Sequence, residues 1–509
     1  VCGAERRTFA ELDLRANRVA HQLIESGVQP GEHVGVHMRN SVQFVESLLG
    51  CLKARAVPIN VNFRYTDTEL TYLYTNAELV ATIVDGEFAE IVAAVLPSCP
   101  KVHTVLTLGA VAEHVVWPEV AVSDFEEAVA AQSQARDLPE RSPQDHYVIY
   151  TGGTTGMPKG VVWRHEDFFY AALAGGNPYG DPYSNGTDMG KAAAANESTM
   201  SFLVTAPLMH GAAVYALFTG FFMGGKQVLM RDFDAVEALR IIQDESIAVL
   251  MIVGDAMARP VADAIAAHGS EYDLSTLMMI GSGGALWSRS VREQLLALMP
   301  NLYLRDGFGA SESGNDGTLE VDDAGTMRLA FNPNVAVVDE HLRPLAPGTD
   351  ASGYIARSGH VPVGYFNDPE KSAATFPVVD GVRMSILGDL GRIEADGSIV
   401  LLGRGSMCIN SGGEKVFPEE VEQALKSHPD VMDALVAGAP DDRFGERVSA
   451  VIQLRDVEAE ADLDAIRAHC RTKIAGYKVP KSLVVVPQIL RSPSGKADYR
   501  WAKATVAQG

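Results

Sequence analysis

Tyr150-Thr-Gly-Gly-Thr-Thr-Gly-Met-Pro-Lys-Gly160 is the stretch that decides how this chain is read. The apolar run Tyr147-Val-Ile-Tyr150 leads into it and predicts a short strand, and Val161-Val-Trp163 predicts a second one after it. Residues 151–159 hold three glycines, three threonines and one lysine. Glycine permits the positive backbone angles that turn successive N–H groups toward one point, and threonine hydroxyls add donors. With Lys159 as a mobile cation at its end, such a loop is suited to gripping phosphate oxygens. It is not a Walker A loop. That pattern needs Gly-x4-Gly-Lys-Ser/Thr followed by a helix, whereas Pro158 precedes this lysine, Gly160 follows it and a strand comes next.

Outward from that loop, alternation sets the fold class. The apolar spacing Leu12, Ala16, Val19, Leu23 predicts a helix from Phe9 to the stop at Gly27. A strand at 34–36, a helix over 42–54, strands at 57–61 and 81–84, a helix near 87–96 and a strand at 102–106 follow. This is the signature of an α/β domain with a largely parallel sheet. Residues 175–198, rich in Gly, Asn, Asp and Ser, predict a long loop. Alternation then resumes, with strands at 228–230, 249–253 and 276–280 and helices over 235–243 and 257–267. From 317 to 402 the chain is β-like and turn-rich, and after Gly403 a smaller α+β unit begins. Its helix at 418–425 opens with proline and acidic residues, as the helix dipole prefers. The expected division is a large domain over 1–403 and a small mobile one over 404–509.

The 509 residues carry a net charge of −23, which leaves no basic field for nucleic acid but permits small anionic ligands held by local cations. The five cysteines show no CxxC spacing, so a reduced, cytoplasmic compartment without a zinc site is expected. The longest uncharged run, Ser201 to Gly225, contains Pro207 and His210 and is read as a buried strand, loop and helix rather than a membrane insertion. The chain begins at Val1 without a methionine, so a few preceding residues are expected to be missing.

Six further strings complete the pattern: Ala206-Pro-Leu-Met-His-Gly211, Gly281-Ser-Gly-Gly284, Phe308-Gly-Ala-Ser-Glu312, Leu387-Gly-Asp389, Gly403-Arg404 leading to Ser411-Gly-Gly-Glu-Lys415, and Ser494-Gly-Lys496. In this order, with the Tyr150–Gly160 string, they resemble the ANL superfamily of adenylate-forming enzymes over nearly the whole chain. The resemblance implies activation of a carboxylic acid by ATP to an acyl-adenylate with release of pyrophosphate, then transfer of the acyl group to a thiol. ATP, CoA and magnesium are the implied co-substrates and ion, and a homodimer is left open. Ser358-Gly-His-Val-Pro-Val-Gly-Tyr365 and Ala-Asp-Tyr-Arg-Trp after Lys496 look like an actinobacterial branch of acyl-CoA synthetases that includes enzymes for steroid side chains and other bulky acids.

The resemblance assigns roles residue by residue. Thr151, Gly152, Gly153, Thr154, Thr155, Gly156 and Lys159 would hold the phosphates, with Glu312 and Thr155 beside magnesium. Gly283 and Gly284 would form one wall of the adenine slot and Phe308 the other, within the segment Asp306, Gly307, Phe308, Gly309, Ala310, Ser311. Asp306 would face the adenine amino group, Asp389 would accept both ribose hydroxyls and Arg404 would meet the nucleotide at the junction. A dinucleotide reading of Gly281-x-Gly-Gly fails because Leu286 occupies the last glycine position. Lys496 would be the catalytic lysine, neutralising the carboxylate and α-phosphate together. His210 would gate an acyl pocket whose small residues Gly211 and Ala212, with Tyr215, leave room for a bulky chain. Gly412 and Gly413 would line the pantetheine tunnel, with Arg443, Lys473 and Lys478 toward the CoA nucleotide. Ser406 stands where the family carries an acidic or basic hinge residue. An acyl-AMP ligase serving a carrier protein, light-producing oxygenation and a non-catalytic nucleotide module are the competing readings.

Overall fold

In a computed structural model of the chain, the described residues are 1–151, 157–196, 200–285, 287–322, 326–404, 407, 409–411, 414–441, 445–459, 461–491 and 497–507, with backbone alone for 404, 410, 411, 414, 415 and 445. Two large sheets and one small sheet carry the architecture. In the eight-stranded sheet, strands 33–37, 57–60, 79–85, 104–108, 121–124 and 146–151 run parallel, and 159–164 and 364–365 extend it antiparallel. In the eleven-stranded sheet, five parallel strands drawn from 201–310 continue into an antiparallel run drawn from 314–404. The parallel strands read as unbroken apolar runs, such as Val249-Leu-Met-Ile252, because helices cover them.

Helix Phe9–Glu25 is fixed at its start by a capping box between Thr8 and Glu11 and buries Ala16, Val19, Ala20 and Leu23. The uncharged run resolves into strand Ser201–Val204, a loop and helix Gly211–Phe222, and no helix among the described residues is long and apolar enough to cross a membrane. After the large sheets, strands 409–411, 414–416, 431–441, 445–454 and 482–485 form a five-stranded sheet. That sheet builds its own apolar clusters from residues 409–506.

Two expectations fail locally. Within the stretch read as a loop, Gly186–Ala195 is a helix. Asn185 accepts from the Asp188 amide at 2.9 Å, and four alanines follow, so the Asn and Asp that suggested turns cap a helix instead. The strand expected at 276–280 runs from Met279 to Gly283. Thr276 and Leu277 belong to a turn, in which the Leu277 amide bonds Leu274 O at 3.0 Å.

The first two helices cross with almost no clearance: a Cβ on Gly50 would stand 2.4 Å from Val19 Cγ1. Val19 is wholly buried. Gly50→Ala is therefore expected to lower the unfolding free energy by roughly 1–3 kcal/mol, read as a shift in urea midpoint. No shift would show that the two helices are not in this contact.

Candidate active site

A cavity of about 840 Å³ opens at the carboxyl ends of strands from both large sheets. Asn60, Thr151, Ile252 and Gly283 reach it as the last residues of their strands, the place where open parallel sheets bind ligands, with Ala206 just past strand 201–204 and Gly307 within strand 303–310. The two sheets are tied there by polar side chains. Asn40 is buried; its amide nitrogen donates to Ala206 O at 3.0 Å and Met230 O at 2.9 Å, and its oxygen accepts from Leu208 N at 2.7 Å. Asn60 accepts from Tyr150 N at 3.3 Å and donates to Met209 O. The loop before His210 is thus held from both sides.

The Tyr150–Gly160 string begins and ends in two antiparallel strands, with Thr151 paired to Lys159 across the ladder. Lys159 Nζ stands 5.0 Å from the centre of the Tyr365 ring, a cation–π contact. The Tyr365 hydroxyl donates to Glu312 Oε1 at 3.0 Å, and Ser385 Oγ donates to Glu312 O at 2.7 Å. Tyr365 thus joins the loop lysine to the acid proposed for magnesium. Below Glu312, Asp316 and Arg357 form a buried ion pair at 2.9 Å, and Ser313 Oγ donates to Asp316 at 2.5 Å. Burial pushes the Asp316 carboxyl up, against the pull of Arg357. Trp163 Nε1 donates to Ser311 O at 2.8 Å and holds the same segment from behind.

Gly283, Gly284, Asp306, Gly307, Phe308, Gly309, Ala310, Ser311, Glu312 and Asp389 all line this cavity, as do His210, Gly211, Ala212 and Tyr215. Gly284 has φ +85°, a region open chiefly to glycine. On Gly309, a Cβ would meet Gly314 O at 2.0 Å, so the strand can approach its neighbour only without a side chain. Tyr215 packs edge-on to Phe168, its ring centre 5.4 Å away, and burial pushes its phenol up. Asp389 lies opposite Arg404 in the ladder between strands 385–393 and 399–404. The apolar part of the wall is built from Leu173, Phe202, Val204, Met251, Met257 and Met279.

From the small unit, Glu419, Glu422, Arg491 and residues 497–500 also line the cavity. Arg491 and Ala497, both at the cavity wall, form an isolated β-bridge. Lys496 lies outside the described residues, as do Gly152, Gly153, Thr154, Thr155, Gly156, Leu286, Ser406, Gly412, Gly413 and Arg443. Lys473 and Lys478 are not brought to the cavity: Lys473 is exposed, and Lys478 pairs with Glu420 at 2.6 Å. Residues that sequence reasoning left without a role are Tyr365, Trp163, Ser385 and the Asp316–Arg357 pair. Tyr365 alone carried a signal, as the last residue of the 358–365 string.

A family model for AMP-binding enzymes matches residues 1–366, and one for their C-terminal domain matches 420–496. The chain belongs to the AMP-binding enzymes. Within this family, it is 45% identical to a 3-oxocholest-4-en-26-oate--CoA ligase of Rhodococcus rhodochrous over 97% of this chain and 90% of that protein. It is equally 45% identical to a medium/long-chain-fatty-acid--CoA/3-oxocholest-4-en-26-oate--CoA ligase of Mycobacterium tuberculosis, over 99% of this chain and 92% of that one. Among solved structures, ATP-bound MatB from Rhodopseudomonas palustris matches with TM-score 0.81 and 25% identity over 99% of this chain and 95% of its own. The anthranilate CoA ligase AuaEII with anthranoyl-AMP shares the fold at TM-score 0.83 and 21% identity, over 100% of this chain and 93% of its own.

One acid of this cavity gives a pH signature. Burial pushes the Asp306 carboxyl up to about 7, and Arg292, 3.7 Å away, offsets only part of that. Between 3.8 and about 7, the folded chain keeps a proton that the unfolded chain has released, so this group makes stability fall as pH rises through that window. Above the window it adds no slope. In Asp306→Asn the slope disappears, and the variant gains up to about 4 kcal/mol on wild type between pH 4 and pH 8. Urea midpoints at the two pH values read it; a pH-independent difference would refute the assignment.

Proposed function

We propose that the chain is an ATP-dependent acyl-CoA synthetase for long-chain or bulky carboxylic acids. The observation that carries this reading is one cavity bounded by the phosphate hairpin, the glycine pair, Glu312, Asp389 and the flanks of the Lys496 segment. Forming a mixed anhydride brings a carboxylate anion onto a polyphosphate, so alignment and charge neutralisation must dominate. A carboxylate oxygen attacks the α-phosphorus, the bond to pyrophosphate breaks, and Lys496 and Lys159 balance the charge. The CoA sulfur then attacks the acyl carbonyl and AMP leaves.

Adenine is read to lie between the Gly283–Gly284 backbone and Phe308, with Asp306 toward its amino group and Asp389 on the ribose. Glu312 fits a hard cation, because its carboxylate lines the cavity, and it would hold magnesium together with substrate phosphates. When bound, that ion supplies neutralisation of phosphate charge. Residues 1–403 and 404–509 are taken as two domains, since the strand ending at Arg404 belongs to a large sheet and the next one, from Ile409, to the small sheet. CoA entry is assigned to a rotated arrangement of the small domain, in which Gly412, Gly413, Arg443, Lys473 and Lys478 would take part. A bulky acid is supported by the cavity volume and the methionine-rich wall, which adapts to varied shapes, and by the names of the 45%-identical relatives. A cytoplasmic site is supported by the free thiols of Cys51, Cys99 and Cys470.

The test is pyrophosphate exchange into ATP with short, long-chain and steroid acids, followed by product analysis with free CoA. Exchange with a bulky or long acid and formation of its CoA thioester are expected; no exchange with any acid, or a strict need for a carrier protein, would overturn the reading. Within it, Lys496→Ala should lower adenylate formation by at least about a hundredfold while thioester formation from supplied acyl-adenylate stays largely intact. Equal loss of both steps would show the lysine to be misassigned.

A further inference from the structure

The small unit meets the large sheets along a seam with a buried charge pair at its centre. Lys426 ends helix Pro418–Lys426, and its side chain is 1% exposed. It donates to Asp255 Oδ2 at 3.0 Å, across 171 positions of sequence. Asp255 opens helix Gly254–His268, is 7% exposed and accepts on Oδ1 from Ser288 N at 2.8 Å and Ser288 Oγ at 3.0 Å. Two neutral bonds flank the pair: Arg289 N to Gln423 Oε1 at 3.3 Å, and Ser290 Oγ to Lys426 O at 3.2 Å.

The surrounding charges are already committed or face no acceptor. Glu422, one turn before Lys426, accepts from Val436 N at 2.9 Å and the Tyr499 hydroxyl at 3.3 Å. Asp433 is bound in a fork by Arg491 at 2.7 Å. Arg259, one turn after Asp255, is buried with none of its guanidinium nitrogens hydrogen-bonded. Asp255 is therefore the one acceptor that Lys426 reaches among the described residues.

A charge pair of this kind makes the closed seam depend on both of its members. With the seam closed, each charge is tolerable because of the other, and with the seam open both return to water. The same unit brings Arg491 and Ala497, on either side of the Lys496 segment, to the cavity wall. We propose that Asp255 and Lys426 are positioning residues for the first half-reaction: their matched charges let the small unit dock with Arg491 and Ala497, the flanks of the Lys496 segment, at the cavity wall. They touch no substrate. The inference rests on the acyl-CoA synthetase reading and deepens it.

Full-length wild type and Lys426→Met are compared in two assays, pyrophosphate exchange and thioester formation from supplied acyl-adenylate and CoA. Lys426→Met leaves Asp255 buried without its cation, so exchange should fall at least about tenfold while thioester formation stays within about twofold. Asp255→Asn/Lys426→Met removes both members of the pair, so neither is left buried without the other, and should recover exchange to within about threefold of wild type. Unchanged exchange in the single variant, parallel loss of both steps, or a double variant as slow as the single one would overturn the proposal. If Lys426→Met does not fold, Asp255→Asn is measured in its place, with the same split expected. Wild type inactive with every acid would sink the synthetase reading instead. In that case, amide hydrogen exchange over 418–426 must still be faster in the variant, and equal exchange would overturn the docking role.

Discussion

Buried backbone must find partners, and that constraint governs how this molecule makes a cavity between two sheets. A loop passing between packed sheets would leave amides and carbonyls bare. Asn40 supplies the missing partners at one point, satisfying Ala206, Leu208 and Met230 at once, and Asn60 repeats the device from the next strand end. With the loop before His210 pinned in this way, the carboxyl edges of both sheets face one space. The glycines of strands 279–283 and 303–310 then keep that space open, since they add no side chain to it.

Electrostatics inside the cavity differ from those of the chain as a whole. A net charge of −23 would repel ATP at long range, yet within the wall the carboxylates are managed one by one. Glu312 is held by a phenol, Asp316 by an arginine and a serine, and Asp306 sits where burial itself favours the proton. Tyr365 is central to this arrangement, offering its ring face to Lys159 and its hydroxyl to Glu312. A loss of the phenol would free both partners together.

Much of this was legible in the sequence because its signals are local. The hairpin around 150–160, the alternation up to residue 108 and the helix opened by Pro418 depend on residues close in sequence. The stretch 186–195 was misread because capping and turning use the same residue types. The candidate site was legible as a set of strings, and the cavity collects those that fall on described residues. The pairings of Tyr365, Arg357 and Lys426 were not, since their partners stand 53, 41 and 171 positions away and no spacing rule joins them. Long-range polar pairing leaves no periodic trace.

The hairpin has one further implication. Lys159 is rooted in a β-ladder, opposite Thr151, where Walker-type loops run into a helix. Strand dipoles largely cancel, so the ladder at 151 and 159 would offer a bound phosphate no macrodipole. Attraction of a phosphate to Lys159 would then rest on formal charge, which near a surface is readily masked by counterions. Nucleotide capture through Lys159 would accordingly be more sensitive to ionic strength than capture by a helix-seated loop, while the ladder keeps the lysine's origin rigid.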